Sequence, residues 1–378
     1  MIMKNDCQKK VSVIVPLYYG GKYVEHILEQ IKLNAQNAPD IEIQLLFYND
    51  CPEEKIRVDE EGFSFEVRVV NAEKNAGIHW ARVSALNLAA GGHVLFLDQD
   101  DVIRDDYIKS QFQKIGDADA IVCRVVNGKR LHYTNTFRFE EVITKEFMVH
   151  NWCPIVSPGQ VLLKKEAIPD IWKRNILKNN GADDYFLWLC MMAEGKQFEL
   201  NQEVLFEHIV TGMNTSENTN LMMDSEDEML GILEREKIFS EYGPKVFDDL
   251  KLSLRRIHVK QLDTQRKGLS CLNRINRSIC ERGRMYGFIK SRKDKKVAIY
   301  GAGELGLALR ELLERQGVEI SCYLDHNAGY VLSDIPVYTL EDVRTGLDSI
   351  LLTIFDQGLE EALKQIFACE VINLEEIG

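Results

Sequence analysis

At 378 residues the chain is too long for one core of ordinary size, so two domains with a joining segment are expected. Its formal net charge of -13 would repel a nucleic-acid backbone, it has no run of about 18 to 20 apolar residues to span a bilayer, and "MIMKNDCQKK" lacks the apolar core of a secretory leader. A cytoplasmic protein is expected, and its nine cysteines, odd in number and without a CxxC pair, read as reduced buried thiols rather than a disulfide frame or zinc site.

Four apolar runs, "VSVIVPL" (11–17), "IQLLFYND" (43–50), "FEVRVVN" (65–71) and "HVLFLD" (93–98), predict strands covered on both faces. Between them "GKYVEHILEQIKLNA" and "GIHWARVSALNLAAG" carry apolar residues at helical spacing, the second stopping at Gly91–Gly92. Strand and helix in alternation imply a parallel sheet with right-handed crossovers. Ligands of such sheets bind beyond the carboxyl ends of the strands, where Tyr18, Asp50, Asn71 and Asp98 fall.

From about 102 to 215 the pattern is irregular except for "GADDYFLWLCMMAEG", a helix whose first turn holds Asp183 and Asp184. Residues 221–295 read as a helical connector. Between Lys251 and Lys296 it carries fifteen Lys or Arg against Asp263, Glu281 and Asp294, a local charge of +12. Either these charges only keep the connector soluble, or the interleaved apolar and cationic residues lie against an anionic membrane. From 296 a βαβ rhythm begins, giving three segments: 1–220, 221–295 and 296–378.

The stretch "HVLFLDQDD" ends a buried strand in Asp98, Asp100 and Asp101. Carboxylates so crowded repel one another unless a cation or donors compensate, and Mg²⁺ or Mn²⁺ takes one or two of them with waters and phosphate oxygens. Asp100 or Asp101 could instead cap a helix at "RDDYIKSQFQKI". Two enzyme classes compete for the motif: a haloacid-dehalogenase-type phosphatase with Asp98 as nucleophile, and a nucleotide-sugar transferase using DxD. Three strands precede this one, whereas the phosphatase signature normally sits on the first. A non-catalytic nucleotide-binding protein is the third alternative.

The ordered blocks "VSVIVPLYYGGKYVEHILEQI", "LLFYNDCPEE", "NAGIHWARVSALNLAAGGHVLFLDQDD", "SPGQVLLKKEAI", "GADDYFLWL" and "NTS" resemble a family 2 glycosyltransferase over about residues 10–216. The resemblance implies an α/β fold: a GT-A domain with a mixed, mainly parallel sheet, acting as an inverting, metal-dependent transferase. Its donor would be a nucleotide sugar, with UDP the expected nucleotide, and its acceptor a hydroxyl of a glycan or lipid-linked molecule in surface polysaccharide or glycoconjugate synthesis. The implied nucleotide-binding set is Pro16, Tyr18, Asp50, Asn75, Arg82, Asp98 and Gln99. Asp100 and Asp98, with His208 nearby, would hold Mn²⁺ or Mg²⁺. Asp184, or its neighbour Asp183, would be the base, although either could simply favour the helix start. Trp152 and Trp188 are candidate sugar platforms, Trp152 the better placed. Asn49 departs from the family's acidic turn, Val83 stands where the family often has Asn, and the absence of a Q/RxxRW run points to single addition rather than processive synthesis.

In the last segment "YGAGELG" sets Gly301, Gly303 and Gly306 between a predicted strand and helix, with Asp325 ending the next strand. That is a dinucleotide-type fingerprint, but no catalytic His, Tyr–Lys or Cys set accompanies it. A small Rossmann-like module that binds a nucleotide or dinucleotide, or only mediates assembly, is expected. The expected partners are thus the donor, the acceptor and an anionic membrane at its inner face through 251–296, with self-association left open.

Overall fold

The computed structural model describes residues 9–374 apart from 60–61, 128–129, 134–136, 211–217, 326–329, 333, 344–345 and 355–356. The "NTS" block at 214–216 lies outside the described residues. The chain divides into two compact units, 1–256 and 257–378.

In chain order the first unit contains β1 (Lys10–Leu17), α1 (Val24–Asn37), β2 (Glu42–Asn49), β3 (Glu66–Asn71), α2 (Ile78–Leu86), β4 (His93–Phe96), β5 (Val102–Ile103) and α3 (Tyr107–Lys114). It continues with β6 (Ala120–Asn127), β7 (Arg130–Leu131), α4 (Phe139–Val142), α5 (Lys145–His150), β8 (Val161–Lys164), α6 (Asp170–Arg174), α7 (Asp183–Ala193), β9 (Phe198–His208) and α8 (Thr219–Arg235). Helix α9 (Val246–Cys280) begins in this unit.

The strands lie in the order β3-β2-β1-β4-β8-β6-β9-β5, with β7 on β6. β1 through β4 pair in parallel, β8 is antiparallel to both β4 and β6, and β9 runs parallel to β6. This mixed, amino-terminally parallel sheet is the GT-A arrangement. In its parallel half β1, β2 and β4 are apolar because both faces are covered: Val11, Val13, Ile14, Val15, Leu45 and Phe47 are wholly buried, whereas the edge strand β3, expected to be covered as well, exposes Glu66 and Arg68. Leu17 pairs with Asn49, and Asn49 with Asn71. That register brings Tyr18, Asp50 and the turn after β4 to one edge of the sheet.

The irregular reading of 102–215 misses β6, β8 and β9. Strand β9, "FELNQEVLFEH", is largely exposed along its length, so it shows neither an unbroken apolar run nor clean alternation. The expected caps at Asp100 and Asp101 are also absent: α3 begins after Asp106, with no side-chain cap.

The second unit continues α9 and adds α10 (Arg284–Ser291), β10 (Val297–Tyr300), α11 (Glu304–Arg315), β11 (Ile320–Leu324), β12 (Tyr330–Leu332), β13 (Ile335–Tyr338), β14 (Ser349–Leu352), α12 (Gln357–Ile366) and β15 (Glu370–Asn373). Its sheet, in the order β12-β13-β11-β10-β14-β15, is parallel except for β12. Setting β12 aside, the order is that of a doubly wound sheet, with its switch point between β10 and β14.

The connector is divided between the units. Val246, Leu250 and Leu254 belong to the first core, whereas Cys271, Ile275 and Met285 belong to the second. On α9, Val259, Leu262 and Leu269 are exposed. Among the described residues no helix is long and apolar enough to cross a membrane.

Candidate active site

One cavity of 690 Å³ lies at the carboxyl edge of the first sheet. Pro16, Tyr18, Asp50, Asn75, Arg82, Asp98, Gln99, Asp100, Asp183, Asp184 and His208 all border it.

The donor edge is built from short ties between loops. Tyr18 N–H donates to Gln99 Oε1 at 3.0 Å and Gln99 Nε2 donates back to Tyr18 O at 3.2 Å, locking the end of β1 to the acidic turn. The Asp50 carboxylate accepts from Ala76 N at 3.1 Å and Gly77 N at 2.7 Å. Burial nonetheless keeps its carboxyl above the usual range. Asn75 Oδ1 accepts from Gly77 N at 3.0 Å. Gly77 has φ +89 and a side chain there would crowd Asn180, so this turn requires glycine. Asn49, in place of the family's first acid, donates to Cys51 O at 3.1 Å and Asn71 Oδ1 at 2.9 Å. It braces the loop beside Asp50.

The three aspartates after β4 have separate surroundings. Asp98 Oδ1 accepts from Arg82 Nη2 at 2.5 Å; burial raises its carboxyl although the guanidinium opposes the rise. Asp100 is half-buried, and burial, followed by the charges of Asp101 and Asp98, pushes it up to about 6. Asp101 is fully buried and accepts from Ser157 Oγ at 2.7 Å and Ile209 N at 3.1 Å, with His208 Nδ1 at 2.8 Å. Asp101 therefore fastens the end of β9 to the acidic turn. Burial disfavours the His208 imidazolium, but the Asp101 bond and charge outweigh it and raise its pKa.

At the start of α7 the adjacent acids differ. Asp183 is buried, its Oδ2 accepting from Arg82 Nη1 at 2.5 Å and its carbonyl from Trp172 Nε1 at 2.7 Å. Asp184 is half-buried, and its one hydrogen bond among those described is from Tyr185 N at 2.6 Å. Burial, and after it the Asp183 charge, pushes Asp184 up to about 7, where a base operating near neutrality belongs.

Neither tryptophan borders this cavity. Trp188 is wholly buried in the core, as helical spacing beside Leu187 and Leu189 favours. Trp152 packs edge-on against Phe137 and Phe147, with ring centroids 5.3 and 4.7 Å away. The sugar-platform expectation is therefore withdrawn for both.

Other residues of the site carry no motif. Asn180 Oδ1 accepts from Ile78 N at 3.3 Å, holding the approach to α7 against the start of α2. His79 Nδ1 accepts from Leu177 N at 3.0 Å, and burial holds its pKa down at about 4. Asn180 lies on the loop before α7 and borders the cavity, whereas His79 is buried in the first turn of α2.

Residues 12–172 match the glycosyl transferase family 2 model. Those residues form a family 2 glycosyltransferase domain. The match favours a glycosyltransferase over the phosphatase and the non-catalytic readings. Glycosyltransferase GlyG of Streptococcus pneumoniae is 26% identical over 187 residues, 43% of this chain and 58% of that protein. The poly(ribitol-phosphate) beta-N-acetylglucosaminyltransferase TarS of Staphylococcus aureus is 31% identical over 203 residues, 50% of this chain and 32% of its own. The chain thus spans 58% and 32% of the length of these two relatives. The crystal structure of TarS 1-349 in complex with UDP-GlcNAc superposes at 15% identity with a TM-score of 0.43, covering 64% of this chain and 74% of the other.

The expected site of the second unit is assembled separately. Gly301 has φ +100, a Cβ there would strike the Thr353 hydroxyl, and one at Gly306 would strike the Gly301 carbonyl. Gly303 precedes α11 as its N-cap. Asp325 Oδ2 accepts from Ala302 N at 2.9 Å, so one carboxylate oxygen engages the glycine turn.

Proposed function

We propose that the glycosyltransferase domain moves a sugar, with inversion, from a UDP-linked donor to a hydroxyl of a glycan or lipid-linked acceptor in surface polysaccharide or glycoconjugate synthesis. What carries the reading is the cavity itself, where the acidic turn after β4 and a separate, high-pKa carboxylate on α7 share one space. A surface-polymer acceptor is supported by the name of one relative, the poly(ribitol-phosphate) beta-N-acetylglucosaminyltransferase TarS.

Asp98 and Asp100 fit a hard divalent cation. Both are partly exposed to the cavity, and Asp100 bears the charge of its neighbours without a compensating side-chain bond among those described. Among the described residues no group of three or more His, Cys, Asp or Glu is arranged to hold a metal ion by itself. Two carboxylates completed by phosphate oxygens and water is the Mg²⁺ or Mn²⁺ pattern. When bound there, the ion supplies charge neutralisation for the departing diphosphate. In this reading Asp50 accepts from the uracil ring N–H, and Tyr18, half-exposed at the rim, flanks the ring. Asp184 takes the proton of the acceptor hydroxyl, and the bond to the anomeric carbon forms on the face opposite the leaving group.

Thermal stability in a panel of nucleotide sugars, with and without Mn²⁺, tests this. Stabilisation by a UDP-sugar that depends on Mn²⁺ is expected; no shift with any nucleotide would remove the donor assignment.

For the second unit, the glycine turn supports a nucleotide-binding or assembly role. NAD released on denaturing the purified protein would identify a dinucleotide site. For the basic helix we propose contact with an anionic membrane. Exposed Val259, Leu262 and Leu269 share α9 with Arg256 and Lys260, and such helices bind through apolar burial plus charge. Arg255 is unsuited to a test because it pairs with Asp227 at 2.7 Å. Co-sedimentation with phosphatidylserine vesicles should disappear when Arg256 and Lys260 become Gln, and should weaken with added salt. Unchanged sedimentation of that variant would refute the contact.

A further inference from the structure

The resemblance implies that Arg82 borders the nucleotide, and it lines the cavity, but its guanidinium is also tied to two carboxylates. Its side chain is 4% exposed. One guanidinium arm reaches Asp98 at 2.5 Å and the other reaches Asp183 at 2.5 Å. Its Nε is buried without a partner among the described residues. Both outer nitrogens are therefore committed to carboxylates on two elements far apart in sequence: the acidic turn after β4 and the first residue of α7.

We propose that Arg82 is a positioning residue that joins the donor edge to the helix carrying the base. The inference rests on the reading of Asp98 as part of the cation and donor site and of Asp184 as the base. A planar fork suits the task because it fixes two carboxylates at once, whereas an ammonium is a single point charge. Burial makes the link consequential: with Arg82 removed, Asp183 would be left as an uncompensated buried charge, and Asp98, partly exposed, would lose its counter-charge.

The link also shares one positive charge between two acids. Asp183 draws part of the guanidinium's attraction, which leaves Asp98 freer to attract a cation. Replacing Asp183 by Asn keeps a hydrogen-bond acceptor at Nη1 but leaves the guanidinium charge on Asp98 alone. Cation binding at the donor edge should then weaken, although Asp183 belongs to the acceptor-side helix. A residue that merely fills space on α7 would have no such effect.

The test is a double-mutant cycle read by calorimetric binding of UDP with Mn²⁺ to the full chain. Wild type, Arg82→Lys, Asp183→Asn and the double variant are compared, with circular dichroism confirming that each is folded. Each single variant is expected to lose about tenfold in affinity. The double variant should lose little more than either, because contacting groups that act as one unit are not additive. Additive losses, or wild-type affinity in both single variants, would overturn the clamp while leaving the glycosyltransferase reading intact. Failure of the wild type to bind UDP with Mn²⁺ would remove the parent reading instead. If Arg82→Lys does not fold, Asp183→Asn decides alone: wild-type affinity in it refutes the link.

Discussion

Asp184→Asn is expected to lower sugar transfer by ~10² to 10⁴-fold, the usual worth of general-base catalysis, while leaving UDP binding unchanged. The structure distinguishes the two adjacent acids. Asp183 is spent on Arg82, and its backbone carbonyl on Trp172. Asp184 borders the cavity with its carboxylate bonded to the amide that follows it. Burial and the neighbouring Asp183 charge raise its pKa to about 7, and that direction sets the pH profile. A base must be ionised to accept a proton, so turnover should rise with pH up to about 7 and level off above it. Asp184→Asn should abolish that limb along with most of the rate. Wild-type turnover in Asp184→Asn, or an unchanged limb with its pKa near 7, would transfer the role elsewhere. Asp183→Asn would serve as the contrast: the rate it retains reflects a disturbed Arg82 rather than a missing base.

Much of this arrangement is legible in the sequence because β1, β2 and β4, unlike the edge strand β3 with its exposed Glu66 and Arg68, are covered on both faces. Such strands must be apolar throughout, and their polar ends then stand out: Tyr18, Asp50 and Asp98 are visible as the places where apolar runs stop. The later strands are harder to see. β9 alternates weakly and β8 is four residues long, so their pairing with β6 is decided by contacts between distant segments. The same cause hides the roles of charged residues. Arg82 looks like one polar position in an amphipathic helix, and only folding brings it between Asp98 and Asp183. Asp101 reads as a helix cap from its place before "RDDYIKSQ", yet it is fully buried and fastens Ser157, His208 and Ile209. The connector shows a similar limit. Its charge is plain from composition, but its division between two cores depends on which apolar residues, Leu254 or Cys271 among them, find which neighbours. Trp188 is the opposite case: helical spacing beside Leu187 and Leu189 marks it as core, and the structure agrees.

Asp100→Ala is expected to remove the cation-dependent part of donor binding. Asp100 is the acid of the turn with the fewest internal obligations. Asp98 is engaged by Arg82 and Asp101 by Ser157, His208 and Ile209, whereas Asp100 has no side-chain hydrogen bond among the described residues and only the weaker attraction of His208. Burial, then Asp101 and Asp98, pushes its pKa up to about 6, which shows how unfavourable its charge is without a counter-ion. A group with a raised folded-state pKa is protonated more readily in the native than in the unfolded chain. It therefore costs stability as pH climbs from the ordinary carboxylate value through about 6, and a cation should recover that loss. Three results follow. Added Mn²⁺ should raise the melting temperature of wild type more at pH 8 than at pH 5, where protons compete for Asp100. EDTA should reverse the rise. Asp100→Ala should melt at the same temperature with or without Mn²⁺, and UDP should bind it equally with and without the ion. A full Mn²⁺ shift retained in Asp100→Ala would show that the ion sits elsewhere. A shift larger at pH 5 than at pH 8 would contradict the charge argument itself, since a carboxylate that attracts a cation must do so better when ionised.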